Sequence, residues 1–191
     1  MNDRPILFNG EMVRAILDGR KTQTRRVIKI QSTTTERPYL RPDGLWTYTV
    51  CDGVAAVNPF ACHYGIPGDR LWVRETLSKS ANDTLIYDAD GAPVMYGGES
   101  EKTNIKKKIP SIHLPRWASR INLEITNIRV ERVQDISVID CACEGIEFAE
   151  NDYSENARYK YHMLWDSINL KRGYGWDANP WVWVIEFRRM P

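Results

Sequence analysis

No apolar run in this 191-residue chain approaches the roughly 20 residues that a helix needs to cross a bilayer. The opening decad, MNDRPILFNG, has an early acid and no sustained apolar stretch, so a secretory leader is not expected. Cytoplasmic residence is the resulting expectation, with no membrane partner. Neither sign of charge dominates: Lys plus Arg is 26 against Asp plus Glu at 25, a net +1. That balance excludes a generally polybasic nucleic-acid-coating protein but leaves room for a local basic patch.

Cysteine is scarce, and Cys51, Cys62, Cys141 and Cys143 do not suggest a disulfide framework in a chain without a leader. Cys62 adjoins His63, and Cys141 and Cys143 form CxC rather than CxxC. Structural zinc sites space paired ligands by two to four residues, so no metal is expected. His63, His113 and His162 lie far apart and are assigned no role. GxGxxG and P-loop signatures are absent, which removes support for a nucleotide-cofactor fold, and no cofactor is expected. There is no internal repeat.

What is present is aromatic and locally patterned. Seven tryptophans suggest a heavily aromatic core, or else stacking surfaces. In residues 9–18, Met12 with Ile16 and Val13 with Leu17 have helical spacing, with Asn9 as N-cap and Gly19 just past the end. The octad GRKTQTRR, residues 19–26, therefore emerges from a helix end as a loop or the start of a strand. PGDRLWVRET (67–76) reads as a turn leading into a strand. RINLEITNIRVERV (120–133) is the clearest strand, with a phase slip near Asn127 that predicts a bulge. A short helix is expected over Asp135–Ile146, with Ser137 as N-cap and Gly145 near its end. A longer one is expected over 155–168, with Ala157, Tyr161, Leu164, Trp165 and Ile168 on one face. WVWVIEFRR (181–189) is apolar on both faces except for Glu186 and should be a central strand.

The polar stretches at about 31–66 and 78–110 read as surface insertions, the first with one β-like piece at Leu45–Val50, the second ending in KTNIKKK. The sum is one α+β domain over residues 1–191, built on a small mixed barrel rather than a parallel βαβ sheet.

The octad, PGDRLWVRET, the run ITNIRVERVQDIS to CEGI and the closing WVWVIEF resemble, in that order, the ASCH domains of the PUA-like superfamily. The family motif G-x-K-x-x-[E/T]-x-R falls on Gly19, Lys21, Thr24 and Arg26. The whole is similar to ASCH-type proteins of phages and prophages. The resemblance implies a PUA-like pseudobarrel with a cleft beside the first helix, and an RNA or nucleoside ligand. One branch hydrolyses N(4)-acetylcytidine with a Lys, a Thr and a Glu. By that resemblance the amidohydrolase residues are Lys21, Thr24 and Glu144; Thr22, Arg25 and Arg26 of the same octad are the candidates for contact with substrate or RNA. Those enzymes are about half as long and lack the two insertions.

Amide hydrolysis needs a nucleophile, a base and oxyanion stabilisation. Thr24 offers the hydroxyl. Lys21 can take its proton only if its amine is neutral, which burial or neighbouring arginines favour and an ionised Glu144 opposes. The alternative makes Glu144 the base and charged Lys21 the oxyanion partner. Strand alternation puts Thr22, Thr24 and Arg26 on one side and Lys21, Gln23 and Arg25 on the other, so Lys21 and Thr24 meet only if the chain between them turns, as it could just past a helix end. Arg74 and Glu75 form either a charge pair or a cleft rim, and Trp117 either fills core or stacks a base. The octad itself could be no more than a solvated basic turn at a helix C-terminus. A non-catalytic RNA-binding module and a ribonuclease are the alternatives to the hydrolase. Near-zero net charge favours a small substrate over long nucleic acid.

Overall fold

A computed structural model describes residues 2–31, 37–48, 59–95, 108–147 and 154–191. The chain starts with strand β1 (Asp3–Leu7), helix α1 (Gly10–Leu17) and strand β2 (Gln23–Val27). Short strands β3 (Tyr39–Leu40) and β4 (Trp46–Thr47) follow, then β5 (Arg70–Arg74), β6 (Leu77–Lys79), β7 (Leu85–Tyr87) and β8 (Lys108–Ile109). Strand β9 (Asn122–Arg132), helices α2 (Val138–Cys143) and α3 (Ser154–Asn169) and strand β10 (Trp181–Arg189) complete it. Five strands form the main sheet in the order β1-β5-β9-β10-β2. β3 and β4 form a hairpin, and β7-β6-β8 form a second small sheet. The fold is α+β, and its sheets stay open rather than closing into the expected barrel: β1 and β2 are the two free ends of the main sheet.

Alternation along β10 organises the packing. Trp181, Trp183, Ile185 and Phe187 enter the larger core with Ile6, Phe8, Val13, Ile16 and Leu71. Val182 and Val184 point the other way, against Tyr161 and Trp165 of α3 and Cys141 of α2. Side chains two apart on a strand share a face, so an all-apolar strand is buried on both. The slip expected near Asn127 is a bulge: Glu186 pairs with Asn127 while Phe187 pairs with Ile125, which leaves Thr126 unopposed. The capped ends also agree with the sequence. Asn9 accepts from Met12 N at 2.8 Å, and Ser137 and Asp140 form a reciprocal capping box.

Several expectations need correction. DRPIL is a strand, parallel to β5, which the sequence pattern did not indicate; its Pro5 is tolerated because β1 is an edge. The expected strand at Leu45–Val50 is only Trp46–Thr47, and its last two residues lie outside the described residues. The first polar stretch does not merely cover the surface, since Tyr48 and Cys62 are buried in the main core. The second folds on itself, with Leu77, Leu85, Tyr87, Val94, Leu114 and Ala118 as a small separate core. KTNIKKK lies outside the described residues except for Lys108, which pairs with Asp88 at 2.8 Å. Trp72, Trp165, Trp181 and Trp183 are buried as expected of a core, whereas Trp117 is 56% exposed.

Candidate active site at the free edge of the sheet

The octad folds through two helix ends that meet. Gly19, at φ +75°, ends α1, and the N–H groups of Arg20 and Lys21 both donate to Ala15 O at 2.9 Å. The chain therefore turns before Lys21 and not between Lys21 and Thr24, where their meeting required it. Thr22 N then donates to Cys143 O at 2.9 Å, tying the strand start to the end of α2. Gly145, at φ +87°, sits in the contact. A Cβ there would lie 2.9 Å from Ala15 Cβ and 3.3 Å from Lys21 Cβ. Only glycine permits both the backbone turn and the approach. The result places Glu144, the α2 cap residue, directly on Lys21.

Lys21 Nζ donates to Glu144 Oε2 at 2.7 Å and to its backbone oxygen at 2.8 Å, with no exposure of the lysine side chain. Arg25, equally buried, reaches the other Glu144 oxygen at 3.3 Å, Glu131 at 2.9 Å and Asp140 at 3.3 Å. Arg129 bridges Glu131, Asp140 and Glu186, and Gln23 Nε2 donates to Asp140 Oδ1 at 3.0 Å. Burial pulls the Lys21 pKa down, and the charges of Arg26 and Arg25 add to the effect; Glu144 opposes it without reversing it. Arg25 is affected in the opposite sense: burial lowers its pKa, but Glu144, Asp140 and Glu131 together outweigh it. Burial raises the Asp140 carboxyl, yet the Ser137 hydroxyl, Arg25 and Gln23 overcome this and bring it down to about 2. Because Arg25 holds Glu144 as well, the carboxylate keeps a cation when Lys21 is neutral.

A cleft of about 420 Å³ opens beside this network. Thr24, Arg25, Arg26 and Val27 of β2 line one wall, Tyr161 and Leu164 of α3 the other, with Glu144 between. Consecutive residues point to opposite faces of a strand, so a cavity touched by four in a row lies against the strand's edge. A second cleft of about 530 Å³ shares Met12, Glu144 and Leu164 with the first. The register Ile185↔Thr24 and Trp183↔Arg26 puts Thr24 and Arg26 on the Phe8 side of the sheet. Phe8 lies beneath both Lys21 Nζ (5.7 Å to the ring centroid) and Arg26 (5.1 Å). Thr24 is buried, and its hydroxyl makes no hydrogen bond to a described residue. Arg26 donates to Leu7 O at 2.6 Å, while its Nε and that of Arg25 are buried without a partner among the described residues.

Lys21, Thr24, Glu144, Arg25 and Arg26 thus come together, although no hydrogen bond joins Lys21 to Thr24, and Lys21 sits behind the cleft wall rather than on it. The other candidates lie elsewhere. Thr22 is exposed and contributes its backbone only. Arg74 stacks on Trp72 at 4.7 Å and donates to Ile112 O. Glu75 does not pair with it; buried, it takes a two-point contact from Arg120 at 3.0 and 2.9 Å, and Arg120 also holds Asp90. Trp117 lines neither cleft. Sequence reasoning placed Tyr161 and Leu164 on one helix face, and Tyr161 is indeed buried in the smaller core. The missing signal was that β2 ends the sheet among the described residues, so that the same face also lines a cleft. No group of three His, Cys, Asp or Glu able to hold a metal occurs among the described residues, nor does any helix long and apolar enough to cross a membrane.

No family model and no curated protein matches the chain. Two solved structures do. One is an ASCH domain from Lactobacillus crispatus, 11% identical, with 98% of this chain on 79% of that one at a TM-score of 0.45. The other is a DUF984-family protein of Enterococcus faecalis, 8% identical, with 100% on 80% at a TM-score of 0.45. Likeness at that level carries no argument about function or ligand.

Proposed function

We propose that the chain is an amidohydrolase that removes the acyl group from an N(4)-acylated cytidine-type nucleoside bound at the free edge of β2. The observation that carries this reading is the buried Lys21, lowered in pKa and held by Glu144, beside a cleft lined by Thr24, whose buried hydroxyl makes no hydrogen bond to a described residue. The ordered resemblance to ASCH amidohydrolases at Lys21, Thr24 and Glu144 supports it. A neutral amine has two N–H bonds and one lone pair. Glu144 accepts both N–H bonds through Oε2 and its backbone oxygen, leaving the lone pair to accept the Thr24 proton.

Thr24 Oγ then attacks the acyl carbonyl, and the tetrahedral oxyanion collapses as the Lys21 ammonium returns its proton to the departing N4. Cytidine leaves, and the acyl group remains as a threonine ester. Water, with its proton taken by Lys21, attacks that ester. The carboxylic acid is released as Lys21 passes the proton to the departing Thr24 Oγ, which restores the hydroxyl and the neutral amine. Arg26 and Arg25, each with a buried unpartnered Nε at the cleft, are the cations available to the oxyanion. Lys21 and Thr24 come into hydrogen-bond reach only with substrate bound, as catalytic contacts often do.

The test is cytidine release from N(4)-acetylcytidine. Wild type releases cytidine and acetate, whereas Thr24→Ala and Lys21→Met, shown folded by circular dichroism, do not. Absence of turnover by folded wild type, together with salt-sensitive binding of single-stranded RNA lost in Arg26→Ala, refutes the hydrolase in favour of the binding module. RNA cleavage would favour the ribonuclease.

A further inference from the structure

We infer that the main chain of β2 reads the ligand, with the Val27 N–H and the Arg25 carbonyl pairing with an adjacent acceptor and donor on the edge of a pyrimidine ring. Among the described residues β2 is the last strand of the sheet and pairs only with β10. Phe187 N donates to Thr22 O at 2.8 Å, and Ile28 N donates to Trp181 O at 3.1 Å. In an antiparallel pair the hydrogen-bonded residues alternate, so Thr24 and Arg26 are the ones that bond to β10. The peptide groups of Gln23, Arg25 and Val27 therefore point away from it. No hydrogen bond to them occurs among the described residues, and Arg25 is 4% exposed. Buried peptide groups are almost always paired, which suits the outward Arg25 carbonyl to a ligand donor, and the N–H of half-buried Val27 lies next to it on the same edge. The cleft lies along them, lined by Thr24 through Val27.

The choice of occupant follows from what flanks the edge. On one face of β2 the Arg25–Glu144 network fills the space; on the other, Arg26 lies over Phe8. An added peptide strand would direct its alternate side chains into both. A flat ring fits between them, and a cleft of about 420 Å³ is of the size that small-molecule sites take. The inference rests on the hydrolase reading and refines it. With ring N3 accepting from Val27 N–H and the N4–H donating to Arg25 O, the acyl group on N4 extends along β2 toward Thr24, Lys21 and Glu144. Strand polarity then places the scissile bond at the proposed catalytic residues and no farther along the edge.

Calorimetric binding tests this. The Thr24→Ala background prevents turnover and allows N(4)-acetylcytidine to be titrated as an intact ligand. Val27→Pro deletes one outward donor and no ladder bond, and edge strands accept proline at such positions. The expected result is a loss of affinity of about tenfold or more, the scale of one hydrogen bond withdrawn from a buried acceptor. Independently of that variant, 3-deazacytidine, which lacks the ring acceptor, binds wild type about tenfold more weakly than cytidine. Equal affinity of cytidine and 3-deazacytidine, or an unchanged Val27→Pro, overturns main-chain reading even if acetylcytidine is hydrolysed. Binding with the expected losses but no turnover overturns the hydrolase and leaves the reading of the ring standing. If wild type binds neither nucleoside, both fall.

Discussion

Replacing Glu144 by Gln removes the single charge on which Lys21 depends. The change keeps volume and shape, and Arg25 retains Glu131 and Asp140. Lys21 keeps the backbone oxygen of residue 144 and at most a neutral amide oxygen in place of the carboxylate. Removing one partner of a buried pair typically costs about 3–5 kcal/mol, because the other charge is left uncompensated. Arg25's remaining partners, and the ability of Lys21 to shed its proton, favour the lower end, so about 3 kcal/mol is expected. At about 2–4 °C per kcal/mol for a chain of this size, the melting temperature should fall by roughly 6–12 °C. The sign of the pH dependence follows from the same residue. Burial holds Lys21 below the ordinary value of 10.5, so between its folded pKa and 10.5 the unfolded chain binds more protons, and stability rises with pH. Losing Glu144, which raises that pKa, lowers the folded value further and widens the alkaline window over which the variant regains stability. Thermal unfolding of wild type and Glu144→Gln from pH 6 to 10 reads both effects. A melting temperature within about 2 °C of wild type at pH 7, with parallel pH profiles, would refute a buried charge pair at this position.

Gly145→Ala should destabilise the protein and lower turnover, because a β-carbon 2.9 Å from Ala15 Cβ forces the α1 and α2 ends apart at a position with φ +87°; a melt and a cytidine-release rate on the same preparation check this. Asp140→Asn should flatten the acid limb of the stability curve. The wild-type carboxyl lies near 2 instead of 3.8, so its contribution is full above 3.8 and disappears as the pH falls toward 2, which acid unfolding followed by fluorescence will show. Thiol labelling at pH 7.5 should modify Cys143 before Cys62 or Cys141, since burial pushes both of the latter up to about 11 while Cys143 is half-buried; peptide mapping after brief alkylation gives the order. Arg188→Ala, which removes an exposed pair with Glu124, should cost no more than about 1 kcal/mol, in contrast to the buried site, as a thermal melt will show.

The sequence by itself determined the features that depend on neighbours in the chain. Asn9 and Ser137 cap their helices because their side chains reach backbone groups two or three residues on. Gly19 and Gly145 end helices because their backbones need a positive φ. The slip at Asn127 announced a bulge because period two cannot absorb an extra residue. Lys21, Thr24 and Glu144 are proposed from the resemblance of their motifs to ASCH amidohydrolases, which composition and periodicity alone do not supply. Tertiary structure decided the rest. No local pattern shows that Glu75 belongs to Arg120, 45 residues away, rather than to its neighbour Arg74. Local pattern is equally silent on Glu144 reaching Lys21 across 123 positions. Nor can a strand's own residues show whether it lies inside a sheet or at its end. β2 looks like any short polar strand, and only the pairing of β10 with β9 on its other side leaves β2 at the end of the sheet, its outward peptide groups without a partner among the described residues and beside a cleft. Hydrogen-bond partners far apart in sequence set that edge, and with it the place where a ligand can bind.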